Sequence, residues 1–218
     1  MVKIYKYVPF ELDRIVTFLN NQVWFSHPND FNDPGEFWGT QATISIPHKT
    51  YVDECEKIVS KTNKTKRLDS TKSWKDVRIF SCAKSDDKEQ LRYGYYAKGK
   101  GVKLTYKLDL KQAKSKYIVH ESLKYKELNE PEFYKLNETQ SAQVFVSWLL
   151  NHKHPDWKWE KELRVLSFDG ENQVECKDWL TLEQIDFSSG FDENRYRTLK
   201  ELFKQLSGVS INWPESKT

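Results

Sequence analysis

One segment constrains the fold more than any other: Trp157-Lys158-Trp159-Glu160-Lys161-Glu162-Leu163-Arg164, running on into Val165-Leu166-Ser167-Phe168. It alternates, and it is rich in aromatic and β-branched residues, so it reads as a β-strand. Period two places Glu160, Glu162 and Arg164 on one face and Trp159, Lys161 and Leu163 on the other. Two carboxylates and a guanidinium in a row are costly if that face is buried, because like charges repel and an unpaired buried charge is worse. The face is therefore either solvated, with Arg164 screening the glutamates, or a site.

The chain has 218 residues, enough to bury a sizeable core, and is expected to form a single domain over 1–218. Aromatic residues make up 14%, which argues against disorder. With 35 basic and 32 acidic residues the net charge is only +3, so the global field does not announce a nucleic-acid binder. Local basic stretches run from Lys61 to Lys75 and from Lys98 to Lys126. Cys55, Cys82 and Cys176 are scattered, with neither a disulfide framework nor a zinc motif, and a reduced, cytoplasmic setting is the expectation. No apolar run reaches membrane-spanning length and no apolar signal region opens the chain, so no membrane role is expected. His152-Lys153-His154 abuts Pro155 and reads as a loop, not a metal site.

Along the chain, strands are expected at residues 1–8, 22–26, 77–83, 102–106, 117–125, 157–168, 173–176, 185–188 and 207–213. Helices are expected after Pro9, over 51–60, 86–97, 129–150 and 196–206. Strands and helices mix without regular βαβ alternation. That points to α+β, with a central, mostly antiparallel split sheet flanked by helices, and with the 157–168 strand inside the sheet.

Two further segments could carry chemistry. Phe31-Asn32-Asp33-Pro34-Gly35-Glu36 is a stiff turn. Asp33 either caps backbone amides there, or the loop presents Asp33 and Glu36 to a cleft. In the second case both acids are expected near the Glu160–Arg164 strand, as partners for Arg164. Leu91-Arg92-Tyr93-Gly94-Tyr95-Tyr96-Ala97 precedes Gly99-Lys100-Gly101. Its tyrosines and arginine suit a stacking platform with a phosphate-binding edge, or simply a packed helix face. The two glycines form neither a Walker loop nor a dinucleotide fingerprint.

Taken in order, the blocks are an aromatic-basic first strand (Tyr5-Lys6-Tyr7), F-N-D-P-x-E, an aromatic helix ending in Tyr-Ala, and K-x-x-x-W-x-x-E-x-E-x-R from Lys153 to Arg164. This order resembles a large bacterial family of unknown function, across roughly residues 5–190. The middle block departs from it, since Tyr93 and Tyr95 stand where that family has Trp and His. More loosely, the layout is similar to the ADP-ribosyltransferase superfamily, although the first strand lacks that superfamily's usual His or Arg. This second resemblance implies NAD as a substrate and transfer through an oxocarbenium-like state, stabilised by a carboxylate. Glu162, with Glu160, is implied as that carboxylate. Tyr5, Lys6, Tyr7, Arg92, Tyr93 and Tyr96 are implied to bind NAD, with Asn32, Asp33, Glu36 and Arg164 in support.

The expectation is thus an NAD-dependent ADP-ribosyltransferase-like protein. It would be a toxin or anti-phage effector acting on a nucleic-acid or protein acceptor, with an antitoxin or regulatory partner. One alternative is a non-catalytic ligand-binding or interaction domain. Another is a nuclease holding metal through Asp33, Glu36, Glu160 and Glu162.

Overall fold

Two strands, β1 (Val2–Pro9) and β4 (Gly101–Leu108), pair antiparallel along their whole length, from Val2 opposite Leu108 to Pro9 opposite Gly101. Both are rich in the β-branched and aromatic residues that fit a pleated surface. Seven of the eight β4 residues are buried. Burial on both faces marks a central strand, and β4 indeed has β10 (Leu180–Phe187) on its other side. The structure, a computed structural model, describes residues 1–11, 14, 17–18, 20–31, 76–126, 150–190, 203 and 208–213.

The described residues are mixed α/β, with a large, mostly antiparallel sheet and few helices. Contacts divide the chain into two compact units, each built from separate stretches of sequence. The first comprises Met1–Trp24, Cys82–Lys116 and Gln173–Thr218; the second comprises Phe25–Ser81 and Tyr117–Asn172.

In the first unit the hydrogen-bonded order is β11-β10-β4-β1, where β11 is Ser210–Asn212 and runs parallel to β10. Ala83, the last residue of β3 (Arg78–Ala83), lies beside Tyr5. A bulge between Leu182 and Gln184 shifts the β10 register. The short strands β2 (Gln22–Trp24) and β9 (Gln173–Glu175) pair separately. Helix α1 (Glu89–Tyr96) packs on β1 and β4. Helix α2 (Leu110–Lys116) follows β4, and Asp109 Oδ1 caps it by accepting from the amides of Lys111 at 2.9 Å and Gln112 at 3.1 Å. This helix lies within the basic stretch 98–126 and was not expected. Ile4, Leu104, Leu108, Trp179, Ile185 and Phe187 are core residues. Cys176 is also buried, and its thiol donates to Asn21 O at 3.0 Å.

The second unit carries the order β3-β8-β5, with β5 at Ile118–His120 and β8 at Glu162–Ser167. All six β8 residues are buried, and β8 lies between two neighbours, as its sequence predicts. The same unit also holds a parallel pair, β6 (Lys124–Tyr125) with β7 (His152–Lys153), and Phe25 packs its ring against Phe80 and Tyr117.

Several boundaries differ from expectation. Residues 155–160 form a 3-10 helix, not the first half of a strand, so β8 starts only at Glu162. The strand expected over 117–125 is two short ones, β5 and β6. His152 and Lys153 form β7 instead of a loop. After Pro9, residues 14, 17 and 18 are helical, and the turn ends at Asn21, whose φ is 54°. The helix expected over 51–60 and the 31–36 turn beyond Phe31, including Asn32, Asp33 and Glu36, lie outside the described residues. So do the helix expected over 129–150, except Leu150, and the one over 196–206, except Phe203. No helix among the described residues is long and apolar enough to cross a membrane.

Gly101 shows how tightly the first unit is packed. A Cβ at this position would run into the Val8 carbonyl oxygen and the Ala97 methyl group. The glycine therefore serves close approach of α1's C-terminal end to β1, not a nucleotide loop. Gly101→Ala is expected to destabilise the protein by about 1–3 kcal/mol. Gly94→Ala, with nothing near its added methyl, should not. Urea unfolding of the two variants checks this.

Candidate functional site

Among the described residues, each unit contains a concentration of buried ionisable side chains. In the second unit it begins at the 3-10 helix Pro155–Glu160. His154 caps that helix, its Nδ1 accepting from the Asp156 amide at 3.4 Å, and Pro155 occupies the first position. Lys161 ends it in the left-handed conformation, φ 47°. This is an uncommon state for a residue other than glycine. It replaces the expected period-two geometry between Glu160 and Glu162, yet both carboxylates still reach one ammonium.

That ammonium belongs to Lys153, which donates to Glu160 Oε2 and, at 3.1 Å, to Glu162 Oε2. Arg164 grips Glu162 with two nitrogens, Nε to Oε1 at 2.7 Å and Nη2 to Oε2 at 3.1 Å. Its Nη1 donates to the Leu150 carbonyl at 2.9 Å. Ser81 donates its hydroxyl to Glu162 Oε1, and the Glu162 amide donates to Tyr125 Oη at 2.9 Å. Exposure of Lys153, Glu160, Glu162 and Arg164 is between 0 and 4%. The charge pattern thus marks neither a solvated face nor an unpaired cluster. Among the described residues it is a buried network in which Lys153 and Arg164 face Glu160 and Glu162.

Burial alone would raise the Glu162 pKa. The charges of Arg164 and then Lys153, with hydrogen bonds from Arg164 and Ser81, hold its carboxyl well below the usual carboxylate range. All four acceptor positions of a carboxylate are taken. The positive charge that two adjacent carboxylates would otherwise draw from a metal comes from Lys153 and Arg164. Among the described residues no group of three or more His, Cys, Asp or Glu side chains is placed to hold a metal ion.

The first unit holds a cleft of about 590 Å³, within the range of small-ligand sites. Tyr93 and Gly94 of α1, Gly99, Lys103 of β4, Asp186 and Phe187 of β10, and Trp213 help line it. Lys103 Nζ lies 2.8 Å from Glu89 Oε1 and 3.3 Å from Asp186 Oδ2. Burial opposes its charge, but those two acids prevail and raise its pKa. Asp186 is fixed further by Gln184 at 2.7 Å and Asn212 at 2.5 Å, both donating to Oδ1. Glu89, with 42% of its side chain exposed, is the more accessible of the two acids. Phe187 and Trp213 stack at 4.4 Å, 11° from parallel.

Several residues named from the sequence meet around α1. Tyr93 donates its hydroxyl to the Asp186 carbonyl at 3.0 Å, and its ring meets Tyr7 edge-on at 5.2 Å. Burial, then the charge of Glu89, raises the pKa of both phenols, so both stay protonated. The Tyr7 hydroxyl is buried with no hydrogen-bond partner among the described residues. Arg92 is buried; it donates to the Asp87 carbonyl at 3.1 Å and lies over the Tyr7 ring at 5.9 Å. Tyr5 and Lys6 are half-buried on β1, and Tyr96 meets Tyr95 edge-on at 4.9 Å. Tyr93 is the residue of this set that lines the cleft.

The sequence reading missed Lys153, Ser81 and Tyr125 in one unit, and Glu89, Lys103, Asp186, Phe187 and Trp213 in the other. Lys153 alone carried a signal, as the first residue of the K-x-x-x-W block. No family model, curated protein or solved structure matches this chain.

Glu162→Gln is expected to cost about 3–5 kcal/mol, because it leaves Lys153 and Arg164 buried without their shared carboxylate. The folded-state pKa of Glu162 lies below its unfolded value. Its contribution is therefore complete above the ordinary carboxylate range and is lost as pH falls toward the folded pKa. Wild-type stability should drop from about pH 5 downward more steeply than that of Glu162→Gln. Urea midpoints measured across that pH range check the sign.

Proposed function

We propose that the protein binds a small ligand carrying a planar ring in the cleft of the first unit. The observation behind this is the pairing, in one concavity, of aromatic surface (Tyr93, Phe187, Trp213) with a Glu89–Lys103–Asp186 array. Ring faces suit a flat heteroaromatic group, and carboxylates suit the hydroxyls or positive charge beside it. This corresponds to the ligand-binding alternative drawn from the sequence. NAD is the ligand to test first, because the sequence resemblance implies it and because its nicotinamide ring and ribose hydroxyls have the required chemistry.

ADP-ribosyl transfer is the second reading, favoured by the convergence of Tyr7, Arg92 and Tyr93 around α1. With it go the resemblance's finer implications: the split, helix-flanked sheet, a nucleic-acid or protein acceptor, a toxin or anti-phage setting, an antitoxin partner and a cytoplasmic location. In this reading a carboxylate faces the ribose as nicotinamide leaves. Glu162 can take that part only by releasing one of its four donors. Glu89 already has an exposed side chain on the cleft.

Calorimetry and thermal melts with NAD, ADP-ribose and nicotinamide test the binding reading. At a concentration about 100 times Kd, a ligand of the folded state should raise the melting temperature by about 5–10 °C. Trp213→Ala and Asp186→Asn should abolish the shift. Absence of a saturable shift with all three compounds refutes NAD as the ligand. Incubating the protein with labelled NAD and cell extract separates the two readings: label retained by extract protein or nucleic acid, and lost in Glu89→Gln, or in Glu162→Gln under conditions where circular dichroism shows that variant folded, establishes transfer.

A further inference from the structure

The buried network of the second unit has an outer face that none of the readings above uses. Trp157 and Trp159 project from the 3-10 helix, both half-buried, with ring centres 6.1 Å apart and planes tilted by 44°. Lys153 Nζ lies 5.3 Å from the Trp157 ring centre, so the network's ammonium supports that ring from within. Lys158 and Lys161, on and just after the helix, are exposed. Strand β6 adjoins the helix and pairs with β7, placing exposed Lys124 opposite His152, and exposed Lys126 donates its amide to the Lys153 carbonyl at 3.1 Å. Four exposed lysines thus lie on the segments around the two indoles. The exposed acids of the same segments are Asp156, whose carboxylate faces His154 at 3.2 Å, and Glu121.

We propose that this face binds single-stranded nucleic acid. Indole rings offer flat surface on which unpaired bases stack, whatever their identity, and lysines around them match a phosphate backbone. Duplex bases are already stacked on one another and leave no face for the tryptophans, so the aromatic component selects single strands. The network beneath gives the surface its rigidity. Glu160 and Glu162 hold Lys153, and Lys153 holds the helix that carries both rings, so little side-chain freedom is lost on binding. The inference is independent of the cleft and of NAD.

The test is fluorescence anisotropy of the full chain with labelled oligouridylate and oligothymidylate of about 12 nucleotides. Saturable binding is expected, weakening steeply between about 50 and 200 mM salt. Trp157→Ala and Trp159→Ala should each weaken it by about tenfold, and Trp→Phe at the same positions should retain most of the affinity. Lys124→Ala and Lys158→Ala, at exposed positions, should leave the melting temperature unchanged and reduce the salt slope by about 0.7 each. Preference for uridylate or thymidylate identifies the source of the strand. No saturable binding at low salt overturns the proposal. So does binding unaffected by the Trp→Ala and Lys→Ala pairs, or equal affinity for heparin or anionic vesicles, which would make the face a general polyanion surface.

Discussion

The second unit depends on keeping the Glu162 carboxylate charged where water does not reach. Taking a carboxylate out of water costs several kcal/mol, and attraction within the interior offsets that cost only when geometry is good and every lone pair is used. Glu162 meets both conditions, gripped side-on by Arg164 and completed by Lys153 and Ser81. Such a network adds little to stability compared with a well-packed apolar core. What it contributes is position. It ties β7, the 3-10 helix, β8 and Ser81 of β3 to one another, so the helix with its two tryptophans has one place to sit.

The first unit handles charge differently. Lys103 is buried between two acids that differ in exposure. Asp186 is held by Gln184 and Asn212, whereas Glu89 stays exposed at the cleft. Glu162, with four donors on its two oxygens, is held as part of a scaffold; Glu89, paired with Lys103 at the cleft, is the acid within reach of a ligand. This contrast is the reason the cleft, rather than the Glu160–Arg164 block, is proposed as the small-ligand site.

The sequence revealed the strands better than the sites. Alternation and aliphatic content identify the 162–168 half of the key segment as a buried strand, and β1, β2, β3 and β9 are legible in the same way. The 157–160 half was misread because its tryptophans mimic a strand, although Pro155 after a capping residue is a helix-start signal. The reversal at Lys161 has no sequence mark, since lysine seldom adopts positive φ. The partners of Glu162 come from β3, β7 and β8, and those of Lys103 from α1 and β10, so no local pattern reports them. Helix α2 was legible from its Asp109 cap but hidden by the basic composition around it.

A double-mutant cycle between Lys153 and Glu162 tests the central claim most directly: that one shared carboxylate unites the network. Lys153→Met, Glu162→Gln and the double variant are compared by equilibrium urea unfolding at neutral pH. The account predicts that the double variant is less destabilised than the sum of the single variants by at least about 2 kcal/mol. Losses that add to within about 0.5 kcal/mol would show that the two side chains act independently, and would contradict the account.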